Sequence, residues 1–244
     1  WDYLWSYGDG STDANDQETF VKEYNIWGDI NNKNKIPVSL TAWNLNNPEC
    51  RDSVQHDVII NPPIPEIDIA EDVAGCVPFF VQLTSTTKYI YEDSYQWDFG
   101  FNGETGTGVA PSFLYTEPGI FIVKLTVEGD GGLNWDYKKI VVHSKPIIDF
   151  TFAPELVMEG SSTEDDTPVK FFNSTLLGNE YLWEFGDGQI SSLYEPEHIY
   201  EDTGRYYVSL IATSLEGCID TMTHPEPVIV EGARLLDFPT AFVV

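Results

Sequence analysis

Asp9, Ser11, Asp13 and Asn15 fall at every second position of one polar stretch, and Asp187 sits between two glycines in Trp183-Glu-Phe-Gly-Asp-Gly188. Hard cations want several oxygen ligands from one loop, so Asp9, Asp13 and Asp187 are the candidates for bound calcium. An EF-hand is excluded, because Ala14 stands where that loop needs Gly and Phe20 where it needs a bidentate Glu. The acidic runs at 161–167 and 201–204 offer further carboxylates. Turn formation and solubility explain all of these acids equally well. No other cofactor is expected.

His56, His143, His198 and His224 are scattered, and no His-Glu-x-x-His, Gly-x-Ser-x-Gly or phosphate-loop phrase occurs. No catalytic or cofactor-binding residue is assigned, and the chain is read as noncatalytic. Cys50, Cys76 and Cys218 lie far apart without Cys-x-x-Cys spacing, which removes zinc ribbons and thioredoxin-type redox chemistry. A structural disulfide and free thiols packed as small hydrophobes both remain open.

The 244 residues are 42% hydrophobic and 14% aromatic, enough apolar material for real cores. Forty acidic residues against twelve Lys and Arg give a formal charge of −28. Such a surface repels phosphate backbones, so nucleic acid is excluded as a partner. No run approaches the roughly 18 to 20 apolar residues of a membrane helix. Residue 1 begins in mid-phrase, with no charged and then apolar leader-type stretch, so this chain is expected to be a window of a longer protein.

Positioning elements emerge from self-similarity. The phrases YLWSYGDG (3–10), YQWDFGFNG (95–103) and YLWEFGDG (181–188) are copies of one another. Each precedes a strand phrase, IPVSLTA, FIVKLTV or YYVSLIA, whose aligned Val38, Val123 and Val208 are 85 residues apart in both intervals. Trp-to-Val spacing is 26 and 25 in the second and third copies but 33 in the first, where NIWGDINNKNK is inserted as a surface loop. Pro-containing stretches at 61–69 and 143–150 introduce new copies. The expected division is 1–64, 65–144 and 145–232, with 233–244 opening a further segment.

Within each copy, short alternating segments rich in Val, Ile, Tyr and Phe are separated by Gly, Asn, Asp and Pro. That pattern predicts strands with one buried face, packed as a sandwich, and no amphipathic helix. Trp183 and Phe185 share a strand face as core anchors, while Gly186 to Gly188 turn the chain. Tyr200 packs inward, and Tyr206, Val208 and Leu210 share or flank the core face. Trp5 belongs to the same structural set, as do Trp97 and Phe99. Trp27, Trp43 and Trp135 lie outside the repeated phrase and are expected to cover the sandwich, the alternative being sugar stacking.

These phrases resemble the PKD domain family, in which Trp-x-Phe-Gly-Asp-Gly, His-x-Tyr and Gly-x-Tyr-x-Val-x-Leu follow in order. The third copy matches almost throughout, from Trp183 through His198 and Tyr200 to Leu210. The second has Phe101 and Asn102 in place of Asp-Gly, so its turn must be built differently. The first has Tyr7 in place of Phe and lacks its opening strands. The resemblance implies tandem immunoglobulin-like β-sandwiches of an extracellular protein, and His198 as a hydrogen-bonded corner residue.

The Gly-Cys-x-Pro and Gly-Cys-x-Asp phrases around Cys76 and Cys218 resemble PKD repeats of large surface proteins of Bacteroidota, the gliding and type IX secretion group. In such sandwiches a first turn and a last hairpin lie at opposite domain ends, so a Cys76–Cys218 bridge is expected, with Cys50 pairing outside this sequence. Asp52-Ser53 and Asp220-Thr221 resemble an O-glycosylation signal of that group, making Ser53 and Thr221 candidates. The implied role is a spacer that presents adhesive parts at the cell surface, with protein or glycan partners and outer-membrane secretion or gliding components among them. The alternatives are an accessory array of a secreted hydrolase and an architectural subunit of an outer-membrane complex.

Overall fold

The structure, a computed structural model, describes residues 1–14, 21–24, 34–70, 73–158 and 167–232. These residues form strands and turns without a helix. The chain makes two compact units, the first of residues 1–74, 79–115 and 119–141, the second of residues 75–78, 116–118 and those from 142 onward.

In the first unit, β1 (Asp2–Ser6), β2 (Thr12–Asp13), β3 (Lys35–Asn44) and β4 (Asn47–Ile59) form an antiparallel sheet in the order β2-β1-β3-β4. Trp5 lies opposite Leu40, and Leu40 opposite Val54, so one face collects the apolar alternation of three strands. A bulge at Trp43 and Asn44 marks the β3–β4 hairpin end.

The following strands are β5 (Val73–Cys76), β6 (Phe79–Gln82), β7 (Gln96–Asp98), β8 (Thr105–Thr107), β9 (Ser112–Tyr115), β10 (Gly119–Gly129) and β11 (Gly132–His143). A five-stranded sheet runs β5-β11-β10-β7-β8, and β6 pairs with β9. Along β10, Val123, Leu125 and Val127 are fully buried and alternate with Ile122, Lys124 and Thr126 on the outer face. Trp97 lies opposite Leu125 and is buried with it.

The second unit carries β12 (Phe150–Ala153), β13 (Leu156–Met158), β14 (Val169–Asn173), β15 (Glu180–Glu184), β16 (Ile190–Ser191), β17 (Glu197–His198), β18 (Gly204–Tyr206), β19 (Ser209–Thr213), β20 (Ile219–Thr223) and β21 (Val228–Glu231). One layer holds β12-β14-β17, the other β16-β15-β19-β20, and β13-β21-β18 closes the side. Alternation makes each layer half apolar: Phe150, Phe152, Val169 and Phe171 face Trp183, Phe185, Val208 and Leu210 in one core. Trp183 meets Phe150 edge-on at 4.9 Å between ring centroids and leans on Phe171 at 5.4 Å. β13 runs parallel to β21, the strand switch expected of an immunoglobulin-like sandwich rather than a simple meander.

Replacing Trp183 by Ala should cost the second unit about 3–5 kcal/mol in urea unfolding, because a fully buried indole leaves a cavity. Trp135→Ala, at a side chain 52% exposed, should stay within about 0.5 kcal/mol.

Candidate functional site

The residues with chemical potential converge on one recurrent corner. In the second unit, β15 ends just before Phe185, and Gly186 (φ 88°) and Gly188 (φ 93°) turn the chain back so that the Phe185 N–H reaches the Gln189 carbonyl at 3.2 Å. A Cβ on Gly186 would sit 2.8 Å from the Tyr207 carbonyl, so positive φ and close approach both require glycine there. The Phe185 carbonyl then points into the core, where the Tyr200 hydroxyl donates to it at 3.1 Å. Trp183 is secured separately, its indole N–H donating to the Leu193 carbonyl at 2.9 Å.

Asp187 and His198 complete the corner. The His198 ring is 8% exposed, stacks on Phe185 at 4.1 Å, and places Nε2 2.7 Å from Asp187 Oδ2. Asp187 Oδ1 also accepts the Gln189 N–H at 2.9 Å. A buried imidazole needs such a partner, since an unsatisfied polar group there costs about 1–3 kcal/mol. This Asp–His pair is a structural clamp, and each group's hydrogen bond serves the turn.

The second copy builds the same corner from different chemistry. Tyr115 donates to the Phe99 carbonyl at 2.9 Å, and the Trp97 indole to the Gly108 carbonyl at 2.8 Å. Phe113 takes the place of His198, stacking on Phe99 at 4.4 Å, and Phe101 takes the place of Asp187, 5.7 Å from Phe113. The polar pair has become an aromatic pair. Asn102 (φ 49°) and Gly103 (φ 77°) lengthen the turn, so that Phe99 N–H bonds the Glu104 carbonyl.

A third version appears in the first copy, where sequence reasoning missed it. Tyr24 donates to the Tyr7 carbonyl at 3.0 Å, and Lys22 pairs with Asp9 at 2.8 Å while lying over the Tyr7 ring. Lys22-x-Tyr24 is therefore the counterpart of His198-x-Tyr200. Its signal was the near-constant spacing of 17, 16 and 15 residues between each hydroxyl donor and its carbonyl.

Electrostatics follow this packing. Burial pushes the Tyr115 phenol up to about 12, with the Asp98 charge adding to it. Burial likewise raises Tyr200, helped by Asp187 and Tyr206. Hydrogen bonds from Lys22 and Ser11 hold the Asp9 carboxyl well below the usual range. Of the calcium candidates, Asp9 and Asp187 are thus committed to Lys22 and His198, and Asp13 is exposed on β2 opposite Trp5. Among the described residues they do not converge into a ligand cluster. Asn15, Phe20 and most of the 161–167 run lie outside the described residues, as do Trp27 and the segment 233–244.

The remaining candidates sit elsewhere. Of the other core candidates, Trp5 is half-buried on β1, and Tyr206, half-buried, stacks on Tyr200 at 4.4 Å. Cys76 and Cys218, both in the second unit, are bonded across 142 residues of chain, with Cα atoms 5.6 Å apart. Cys50 differs from Cys218 despite its similar sequence position, being exposed on β4 rather than buried in a turn. Ser53 and Thr221 are exposed, and the preceding Asp52 and Asp220 carboxylates accept their backbone N–H groups at 2.8 and 3.0 Å. Trp135 and Tyr137 project outward from β11, with Lys124 Nζ 5.3 and 5.9 Å from their ring centroids. Trp43 is half-buried opposite Arg51. Beside Lys124 lies an open groove of about 380 Å³ lined by Gln96, Asp98, Thr105, Thr107 and Thr126.

Layered antiparallel sheets closed by a tyrosine at a strand-end carbonyl define an immunoglobulin-like repeat protein. The PKD domain family profile matches residues 61–144 and 143–230, and the chain belongs to that family. Residues 1–60, with the Tyr7–Tyr24 corner, lie outside the matched segments. The chain is 49% identical over 43 residues to a microbial collagenase of Vibrio alginolyticus, covering 18% of this chain and 5% of that protein. It thus spans about a twentieth of that protein's length. Among solved structures it resembles the PKD1 domain of Vibrio anguillarum Epp (30% identity, 36% of this chain, 96% of that chain, TM-score 0.29). It also resembles the PKD1 domain of Vibrio cholerae metalloprotease PrtV (27% identity, 36% and 98%, TM-score 0.29).

Three outcomes follow from the corner and the bridge. Asp187→Phe and His198→Phe should each destabilise the second unit by about 1–3 kcal/mol, while the double variant should recover part of the loss, read as a coupling of about 0.5–3 kcal/mol in a double-mutant cycle. The raised Tyr115 value means its contribution is full below pH about 10 and lost as pH climbs through about 12. Absorbance titration of phenolate should accordingly show a late-ionising tyrosine that Tyr115→Phe removes. Peptide mapping without reductant should recover Cys76 joined to Cys218 and Cys50 alkylated, and Cys218→Ser should cost about 2–5 kcal/mol.

Proposed function

We propose that this chain is a noncatalytic, extracellular array of three PKD-type sandwiches that spaces and presents adhesive parts of a larger bacterial protein. The observation that carries this reading is the corner itself. The hydroxyl-to-carbonyl closure recurs at Tyr24, Tyr115 and Tyr200, while the acidic and basic groups beside it serve only to hold the turn. Chemistry-bearing side chains are used for rigidity, as a spacer requires. Contacts with protein or glycan fall to outward groups such as Trp135 and Tyr137, and the −28 charge disfavours nucleic acid.

The finer reading makes the parent protein a type IX secretion cargo held at the outer membrane of a Bacteroidota cell. It rests on the Gly75-Cys76-Val77-Pro78 and Gly217-Cys218-Ile219-Asp220 phrases and on the Asp-Ser and Asp-Thr pairs. A second reading, the accessory array of a secreted protease, is favoured by the local identity to the collagenase.

Mass spectrometry of the native protein purified from its own cells separates the two. Further repeats, a C-terminal sorting region and co-purifying outer-membrane proteins are the expected result. A protease domain in the same polypeptide, without envelope partners, would replace the first reading by the second. Added calcium should leave the melting temperature unchanged, since Asp9 and Asp187 already hold cationic or imidazole partners.

A further inference from the structure

Cys76 ends β5 and Cys218 immediately precedes β20, so the bond between them encloses β6 through β19 in one covalent loop. That loop takes in most of both family-matched segments, 61–144 and 143–230. Both anchors are fixed by the local fold. β5 is held by its pairing with β11, and the Val77 N–H reaches the His143 carbonyl at 3.0 Å. Around Cys218 the chain makes a tight turn: the Ser214 N–H donates to the Cys218 carbonyl at 2.7 Å, the Cys218 N–H donates to Ser214 Oγ at 3.2 Å, and Gly217 supplies the positive φ of 84°. Cys218 is fully buried and Cys76 half-buried, so a dissolved reductant meets the bridge on its Cys76 side.

Covalent topology then decides where a pulling force travels. A load on the two ends of the chain runs along the backbone to Cys76, crosses the sulfur–sulfur bond to Cys218 and continues into β20. Residues 77–217 lie beside that path. Among the described residues, the core leucine, isoleucine, valine and aromatic side chains of the matched segments fall inside the closure, except Ile67 ahead of it and Val228 and Val230 beyond it. Both complete tyrosine corners are inside as well: Trp97 and Tyr115 around Phe99, and Trp183 and Tyr200 around Phe185.

We infer that the Cys76–Cys218 bond is an extension limiter: it diverts tension around β6–β19, so that opening those strands yields no length and the chain keeps a fixed maximum span under a pulling load. The inference rests on the chain's role as a spacer, which is loaded at both ends. The length withheld is large. At about 3.3–3.6 Å per residue, the 142-residue separation spans about 470–510 Å when extended. With the bond in place, the two Cα atoms that bound this stretch are 5.6 Å apart.

Single-molecule stretching of the full chain tests this, with peptide-tag handles at both ends and Cys50→Ser present so that only the bridging sulfurs remain. Without reductant, the fully extended contour length should fall short of that in a phosphine reductant by about 470–510 Å. Cys218→Ser should give the long contour under both conditions. Contour length is read on the unfolded chain, so the comparison holds even for a variant that folds poorly. A protease recognition sequence inserted between Asn102 and Gly103, both exposed, reads the load path itself. Cleavage there under tension should leave the oxidised tether whole and sever the reduced one. Equal contours with and without reductant, a Cys218→Ser chain as short as the oxidised one, or rupture of the oxidised tether on cleavage would overturn the limiter and leave the spacer role standing. The spacer role fails separately, on a protease domain in the same polypeptide without envelope partners.

Discussion

The second unit depends on a buried carbonyl that the sheet itself leaves without a donor. When β15 turns at Gly186, the Phe185 C=O points into the core, and the Tyr200 hydroxyl is what satisfies it. An unpaired acceptor at that depth would cost about 1–3 kcal/mol, a sizeable part of the stability of a small domain. The same ring also packs against Tyr206 and His198, so one residue supplies the donor, the apolar area and the link between layers. Tyr115 repeats the arrangement around Phe99, with Phe121 in the place of Tyr206 at 4.6 Å.

The pair above the tyrosine varies in chemistry while keeping its geometry. Asp with His, Phe with Phe and Asp with Lys all fill the site beside the first aromatic ring. A polar pair is tolerated when each member is satisfied, and an apolar pair when both are apolar; a mixed pair would leave a buried polar group stranded. The three copies therefore differ by coupled changes at two positions. In the second unit the Asp–His pair, which in sequence looks like acid–base machinery, holds the turn after Phe185.

Outside the buried corners, the described residues leave outer sheet faces exposed. The aromatic pair Trp135 and Tyr137 around Lys124 and the acidic surface belong to these outer faces. The 142-residue closure between Cys76 and Cys218 further restricts the unfolded chain.

Local periodicity determined much of this protein from sequence alone. Alternation placed Trp183 and Phe185 on one face, glycines marked the turns after them, and the recurrence of whole phrases made the chain a repeat array of sandwiches. Those features depend on neighbours within a few residues, and burial of Trp97, Trp183, Val123 and Val208 agrees with them. Only the tertiary structure revealed Lys22 and Tyr24 as a corner and Phe101 and Phe113 as a substitute for Asp and His. Both depend on groups more than ten residues apart. Residue type alone cannot report such pairings, because Asp or Tyr reads the same in sequence whether its partner is a cation, a carbonyl or water; the fold decides by bringing one of them within hydrogen-bonding distance.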